Sequence, residues 1–409
     1  MTMTTTTTAA DIQALEARHV LQTYKRQGVV FVRGEGCRIE DIEGRRYLDF
    51  VSGIGVSVLG HGHAGLSRAV AEQAAALLHT SNLYYHPLQG QVAARLSSLS
   101  GLARVFFCNS GTEAMEACLK FARRYWFTQG VRGRTRFVAF EHGFSGRTMG
   151  ALSVTANPHY REPFEPLIPG VTFVPPGDVA ALDAAVSSAT AAIVVEPIQG
   201  EGGVRPIAAG FAAAIEAACA RTGALLIADE VQCGLGRTGA PFYYQTLGLT
   251  PDLVTVGKAL GAGVPVGAAL VAEEVARQVL PGDHGTTYGG NLLATRAALF
   301  VLEQLQDHGL LEAVQRSGAH FERQLQALAA KHPVVTEVRG AGLMRGLQLA
   351  VDAGPVVDAA RDRGLLVNRT AETVVRLLPP YIVSPAEIDE AVATLDAVLA
   401  GLPAHGEAQ

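Results

Sequence analysis

The sequence predicts an α/β fold: a large domain with a mostly parallel central sheet flanked by helices, plus a smaller α+β domain. Two observations predict it. Short, largely apolar runs at 105–108, 136–140, 171–174, 192–195, 224–228, 253–256 and 267–271 alternate with helix-period stretches at 112–127, 179–187 and 210–221. Strands buried on both faces read as continuous apolar runs, and strand–helix alternation builds parallel sheets covered by helices. The pattern differs at both ends of the chain. Residues 29–50 alternate apolar and polar around a Glu43-Gly44 turn, which predicts short antiparallel strands. Helix periodicity then runs from Ser67 to Leu78. After Asn291 a helix is expected to about Leu305 and another over 311–330. Strands at 334–339, 343–349 and 374–377 and a helix from Pro385 complete the chain. The expected division is a disordered, threonine-rich leader (1–12), an N-terminal segment contributing to the small domain (13–65), a large cofactor-binding domain (66–295) and a C-terminal small domain (296–409).

Bulk properties narrow the function. With 48% hydrophobic and 17% charged residues, a large core is available. A net charge of −5 without a basic stripe gives no support to nucleic-acid binding. No stretch is long and apolar enough to predict a membrane span. Five cysteines without C-x-x-C spacing suit a reduced, cytoplasmic setting. Many of the 45 glycines fall in loops such as 200–203, 234–236 and 261–263, where they favour close backbone approach to a ligand.

Three of the strand-like runs end in chemistry. The run 253–256 leads to Lys258, 224–228 leads to Asp229, and 105–108 opens into Asn109-Ser110-Gly111-Thr112 and a helix. Ligands collect at the carboxyl ends of strands in open α/β sheets. An amine, an acid and an anion-binding helix start on one rim match the aldehyde, pyridine nitrogen and phosphate of pyridoxal 5′-phosphate (PLP). Ser110, Gly111 and Thr112 would hold the phosphate, although the same residues also read as a plain Ser N-cap. Asp229 would keep the pyridine nitrogen protonated; Glu230, next along, should point to the opposite face. Lys258, shielded at a strand end, could lose its proton and form an imine. Phe144 can stack on a flat ring and Arg147 can grip a carboxylate. Arg376 is a charge among apolar neighbours and needs a partner; a structural ion pair is the alternative for both arginines.

Other patterns carry less. Gly234-Leu-Gly236-Arg-Thr-Gly239 fits the dinucleotide pattern, but Ala240-Pro241 follows instead of a helix. His61 and His63 lack the partners of a metal site, and no metal is expected.

The order and spacing of LGHGH near Gly60, LHTSNLYY from Leu78, FFCNSGTEA from Phe106, FSGRTMGALSVT from Phe144, VEPIQGEGGV from Val195, LLIADEVQCGLGRTG from Leu225, PDLVTVGKALGAGVP from Pro251 and HGTTYGGN from His284 resemble the class III (ω) aminotransferases of PLP fold type I. The likeness is greatest to those acting on acetylornithine or N-acetyl-lysine. It implies catalytic roles for Lys258 and Asp229. It places Asp229, Glu230, Val231 and Gln232 with the cofactor, with Gln232 near the ring's phenolic oxygen. Thr287 would reach the phosphate of the other subunit of a homodimer, and Thr286 would lie near substrate. Arg147 would bind the donor's α-carboxylate or the side-chain carboxylate of glutamate, Arg376 would bind glutamate's α-carboxylate, and Glu201 would neutralise Arg376 when no second carboxylate is present. The chain departs from the family at Met115, Gly257 and Leu292, none of them at a chemical position.

The expected reaction moves the terminal amine of N2-acetylornithine to 2-oxoglutarate, giving N-acetylglutamate 5-semialdehyde and glutamate, a step of arginine biosynthesis. Alternatives are N2-acetyl-lysine or a carrier-linked lysine (lysine biosynthesis), succinylornithine, ornithine or 4-aminobutyrate. A non-catalytic PLP-binding protein is the alternative from another class, and a nicotinamide dehydrogenase rests only on the discounted glycine pattern.

Overall fold

The computed structural model describes residues 8–402. Its centre is a seven-stranded sheet in the order Arg104–Cys108, Gly267–Val271, Leu253–Val256, Leu225–Asp229, Thr190–Val195, Arg136–Phe140, Val171–Val174. From Leu253–Val256 to the Val171–Val174 edge all pairings are parallel. Gly267–Val271 runs antiparallel to both its neighbours. Arg104–Cys108 therefore points the same way as Leu253–Val256 and Leu225–Asp229, and these three strands end on one rim. Four strands of the sheet are buried at every residue, which is why they read as unbroken apolar runs.

Helix Gly111–Thr128 lies against this sheet through Ala114, Met115, Cys118, Leu119 and Ala122, an i, i+3, i+4 stripe. Met115 is wholly buried, so this departure from the family pattern is a packing residue.

Two smaller sheets frame the rim. One is antiparallel, in the order Val335–Ala341, Met344–Leu349, Val374–Leu377, Asn368–Thr370. The other joins Phe31–Glu35, Arg38–Asp41 and Arg46–Asp49 to Leu365–Leu366, with Leu48 opposite Leu365. Chain segments more than 300 residues apart thus share one sheet. Helices Leu310–Lys331 and Pro385–Ala400 pack together beside them, the second started by a Ser384–Glu387 capping box.

Two expectations need correction. Residues 1–7 of the expected leader lie outside the described residues, but Ala9 to Ile12 are the first turn of helix Ala9–His19. Thr8 and Asp11 form its capping box, a local signal strong enough to start a helix inside a threonine-rich run. The boundary drawn at 295/296 falls within helix Leu292–Asp307, which starts at Asn291, whose Oδ1 accepts the Ala294 N–H at 2.9 Å. Leu292, at its first position, packs into the core. Helices Gln89–Ser100 and Gly354–Asp362 had not been anticipated. Among the described residues no helix is long and apolar enough to cross a membrane.

Candidate active site

The three rim loops touch. A Cβ placed on Gly111 would sit 2.6 Å from Val231 Cγ1, and one on Gly257 would sit 3.2 Å from the backbone of Gly111. Only glycine lets the Ser110–Thr112, Glu230–Gln232 and Gly257–Lys258 turns come this close. The departure at Gly257 is explained by this contact.

Asp229 is buried at the end of its strand. Its Oδ1 accepts hydrogen bonds from Thr255 Oγ1 (2.8 Å), its cross-strand neighbour, and from the Val231 N–H (3.2 Å). No lysine or arginine of the described residues forms an ion pair with it. Burial, outweighing these bonds, holds its carboxyl above the usual aspartate range. Lys258 is enclosed by protein yet keeps part of its surface open. Burial lowers its pKa, opposed by the nearby Glu201 and Asp229 charges. Its φ is +32°, a conformation sparsely used by residues with a Cβ and one that strained functional positions adopt.

Gly111 and Thr112 open helix Gly111–Thr128, so their N–H groups have no partner in the helix, nor any other among the described residues. Ser110 caps the helix by accepting the Glu113 N–H at 3.3 Å. The Thr112 hydroxyl meets Thr148 Oγ1 at 2.9 Å and accepts the Arg147 N–H at 3.2 Å, which ties the 144–148 loop to the helix start.

These groups fit PLP. A buried carboxylate without a cation, a helix start without an anion and a lysine with a depressed pKa are each incomplete alone. A protonated pyridine, a phosphate and an aldehyde complete them in turn.

A second cluster faces the first. Arg376, 1% exposed, donates through Nη1 to Glu201 Oε1 (2.5 Å) and Gln232 Oε1 (3.1 Å), and through Nε to Asn368 Oδ1 (3.2 Å). Burial raises the Glu201 pKa, but the charge and hydrogen bond of Arg376, with smaller help from Lys258 and Gln232, outweigh it and leave Glu201 below the usual range. Arg147 is exposed and forms no ion pair among the described residues. Its guanidinium lies over Tyr160, 3.6 Å from the ring centroid, and 5.5 Å from that of Phe144. A cleft of about 950 Å³ opens between Phe144, Tyr160, Arg161, Glu201, Arg205 and Arg369; Lys258 is not part of its lining.

Not every expected residue converges. The Glu230 side chain is buried in the packing under the site. Alternation at the strand end turns it away from Asp229, and it accepts from the Tyr244 N–H (2.6 Å) and Cys233 Sγ (3.2 Å). Thr286 Oγ1 accepts from Asn109 Nδ2 (3.4 Å) and the Gly289 N–H (3.1 Å), beside the Ser110 turn. Thr287 is exposed on the surface. His61 pairs with Asp49 and His63 caps helix Ala64–Ala76.

Two residues of the site had not been picked out. Asn368 reaches Arg376 only through sheet pairing, and no local pattern marks it. Glu196 accepts the Phe144 N–H (2.8 Å) through Oε1 and the Gly200 N–H (3.2 Å) through Oε2, fixing two site loops. Burial, with Asp229 near, pushes its carboxyl up to about 8. Its signal was available: a carboxylate directly after the apolar run 192–195, the position that drew attention to Asp229.

A site that fits PLP on a mixed α/β sheet, with two arginines beside it, is the equipment of an aminotransferase. The family profile described as Aminotransferase class-III matches residues 21–399, and the chain belongs to this family, with PLP as its cofactor. It is 48% identical over 393 residues to the acetylornithine aminotransferase of Gloeobacter violaceus, covering 96% of this chain and 98% of that one. It is 44% identical over 386 residues to the acetylornithine aminotransferase of Methanocaldococcus jannaschii, covering 94% and 96%. Among solved structures, the ornithine aminotransferase of Toxoplasma gondii superposes with a TM-score of 0.92 at 32% identity, covering 96% of this chain and 94% of that one. The acetylornithine aminotransferase of Elizabethkingia anophelis superposes with a TM-score of 0.85 at 30% identity, covering 96% and 99%.

Proposed function

We propose that the enzyme transfers the terminal amine of N2-acetylornithine to 2-oxoglutarate, releasing N-acetylglutamate 5-semialdehyde and glutamate. The observation that carries this reading is the unequal state of two arginines. Arg376 is held by Glu201, whereas Arg147 has no acid partner among the described residues. One carboxylate grip is open and the other closed, which suits a donor with a single carboxylate far from its reacting amine. The names of the relatives at 42–48% identity support the same donor.

In this reading the Gly111 and Thr112 N–H groups and the Ser110 hydroxyl bind the PLP phosphate. Asp229 would keep a proton at the ring nitrogen, and Phe144, Val231 and Gln232 would hold the ring. Bound PLP supplies an electrophilic carbon for the amine and a sink for the electron pair left when the substrate C–H bond breaks. Lys258, its pKa lowered by burial, takes that proton from the substrate carbon and returns it on the cofactor side. Arg147 sets the donor's distance by holding its α-carboxylate. When glutamate or 2-oxoglutarate enters, Glu201 yields Arg376 to the second carboxylate.

The working form is proposed to be a homodimer in a cytoplasmic setting. Leu83, Tyr84 and Tyr85 are consecutive and highly exposed, and Thr287 is free at the surface to reach a partner's phosphate. Five unpaired cysteines suit a reducing compartment. Sedimentation at micromolar concentration should give twice the chain mass.

Steady-state kinetics of the PLP-loaded enzyme on acetylornithine, N-acetyl-lysine, succinylornithine, ornithine and 4-aminobutyrate test the substrate. A kcat/KM optimum on unacylated ornithine overturns it.

A further inference from the structure

The loop that carries Arg147 is gripped by one face of helix Gly111–Thr128. Thr112 and Glu116 stand four residues apart on that helix, so their side chains share a face, one turn from each other. Thr112 Oγ1 accepts the Arg147 N–H (3.2 Å) and the Thr148 N–H (3.3 Å). Glu116 Oε1 accepts the Gly150 N–H (2.7 Å) and the Ala151 N–H (3.3 Å). The approach is close on both sides. A Cβ on Gly146 would collide with the Thr112 side chain, and one on Gly150 would collide with the Glu116 carboxylate.

Gly150 and Ala151 lie in the first turn of helix Met149–Ser153, where N–H groups need acceptors from outside the helix. Thr148, the residue before that helix, does not cap it with its own side chain; its hydroxyl meets Thr112 instead. Glu116 supplies the cap from a different helix. It forms no ion pair among the described residues, so its charge faces the two N–H groups, where a carboxylate is favoured. Thr112 alone would fix one point of the loop. Glu116, a turn further along, fixes its direction. The same helix begins at Gly111, in the turn that fits the PLP phosphate.

We propose that Glu116 is a positioning residue for amino transfer: by capping helix Met149–Ser153 from the cofactor-binding helix, it sets the distance between the PLP phosphate and the Arg147 guanidinium. That distance decides how long a donor the site accepts. The proposal rests on the reading of Arg147 as the carboxylate grip. Glu116 itself touches neither substrate nor cofactor and acts only through the loop. A donor without a carboxylate is therefore indifferent to it, whereas acetylornithine and 2-oxoglutarate both depend on it.

The test compares N2-acetylornithine with N-acetylputrescine, the same chain without its carboxylate, on the PLP-loaded enzyme. Glu116→Ala should raise KM for acetylornithine and for 2-oxoglutarate about tenfold, within the roughly 100-fold that a misplacement of about 1 Å can cost. Its kcat should hold, as should its PLP content. Conversion of bound PLP by N-acetylputrescine, followed by absorbance in a single turnover, should stay within about twofold of the native rate. Glu116→Gln keeps an oxygen for both N–H groups and should recover most of the loss. In an Arg147→Gln enzyme, Glu116→Ala should add less than about a twofold loss, because the grip it positions is already gone. This double variant decides alone if N-acetylputrescine converts too slowly to read. A uniform loss on both donors, a lower melting temperature with KM unmoved, or full additivity with Arg147→Gln overturns the proposal. An Arg147→Gln enzyme with an unchanged KM for acetylornithine overturns the carboxylate grip itself, and the proposal with it.

Discussion

Arg376, in strand Val374–Leu377, and Glu201, in a turn, meet at 2.5 Å, the arginine fully buried and the glutamate 37% exposed. The pair is asymmetric: the cation is enclosed by protein, while the acid keeps an edge on solvent.

Removing the acid should bias the enzyme toward substrates that bring their own second carboxylate. Glu201→Ala is expected to lower kcat/KM for acetylornithine by about tenfold while the glutamate half-reaction holds or improves. Single-turnover rates for each half-reaction measure this. Parallel losses in both would mean that Glu201 has no gating role.

Lys258→Ala should leave the fold intact and reduce transamination by about 10³-fold or more, the scale of a lost general acid–base group. Turnover within tenfold of the native enzyme would remove Lys258 from the mechanism. Thermal unfolding provides the control for folding.

Gly111→Ala places a methyl group 2.6 Å from Val231 Cγ1, a branched side chain with little room to move. The three rim turns must separate. Overpacking of this kind costs about 1–3 kcal/mol. Weaker PLP retention on dialysis and a lower melting temperature are expected together, whereas unchanged retention would detach this turn from the phosphate.

Glu230 gives a pH signature separate from catalysis. Burial raises its carboxyl to about 7, with the Tyr244 N–H bond opposing. A carboxyl raised in the folded state binds its proton more tightly there than when unfolded. Its contribution to stability is therefore present below the unfolded value, near 4.5, and is lost as pH rises through about 7. At about 1.4 kcal/mol per pKa unit, the loss is a few kcal/mol at most. Glu230→Gln should gain stability relative to the native protein between pH 5 and pH 8 in denaturant titrations. Curves that stay parallel across this window would show that the group is not strained.

Much of the fold could be read from local pattern because each central strand is buried on both sides and carries its apolar run openly. The helix starts were marked by residues that satisfy free N–H groups nearby, such as Ser110, Asn291 and Ser384. Asp229 and Lys258 were visible because a charge directly after such a run is costly unless it has a task. The direction of the Glu230 side chain follows from strand alternation, while its partners, the Tyr244 N–H and Cys233, come from other turns of the chain. Asn368 carried no signal, since its role comes from the strand beside it.

The sequence by itself determined the order of most strands and helices, the three chemical groups at strand ends and the family, since each depends on residues close together along the chain. The tertiary structure alone decided that Arg376 is closed by Glu201, that Arg147 has no ion-pair partner among the described residues, and that Glu196 binds two loops together. Those relations depend on contacts between segments up to 175 residues apart, and the sheet pairing that creates them follows from burial shared across the whole chain, not from any local run of residues.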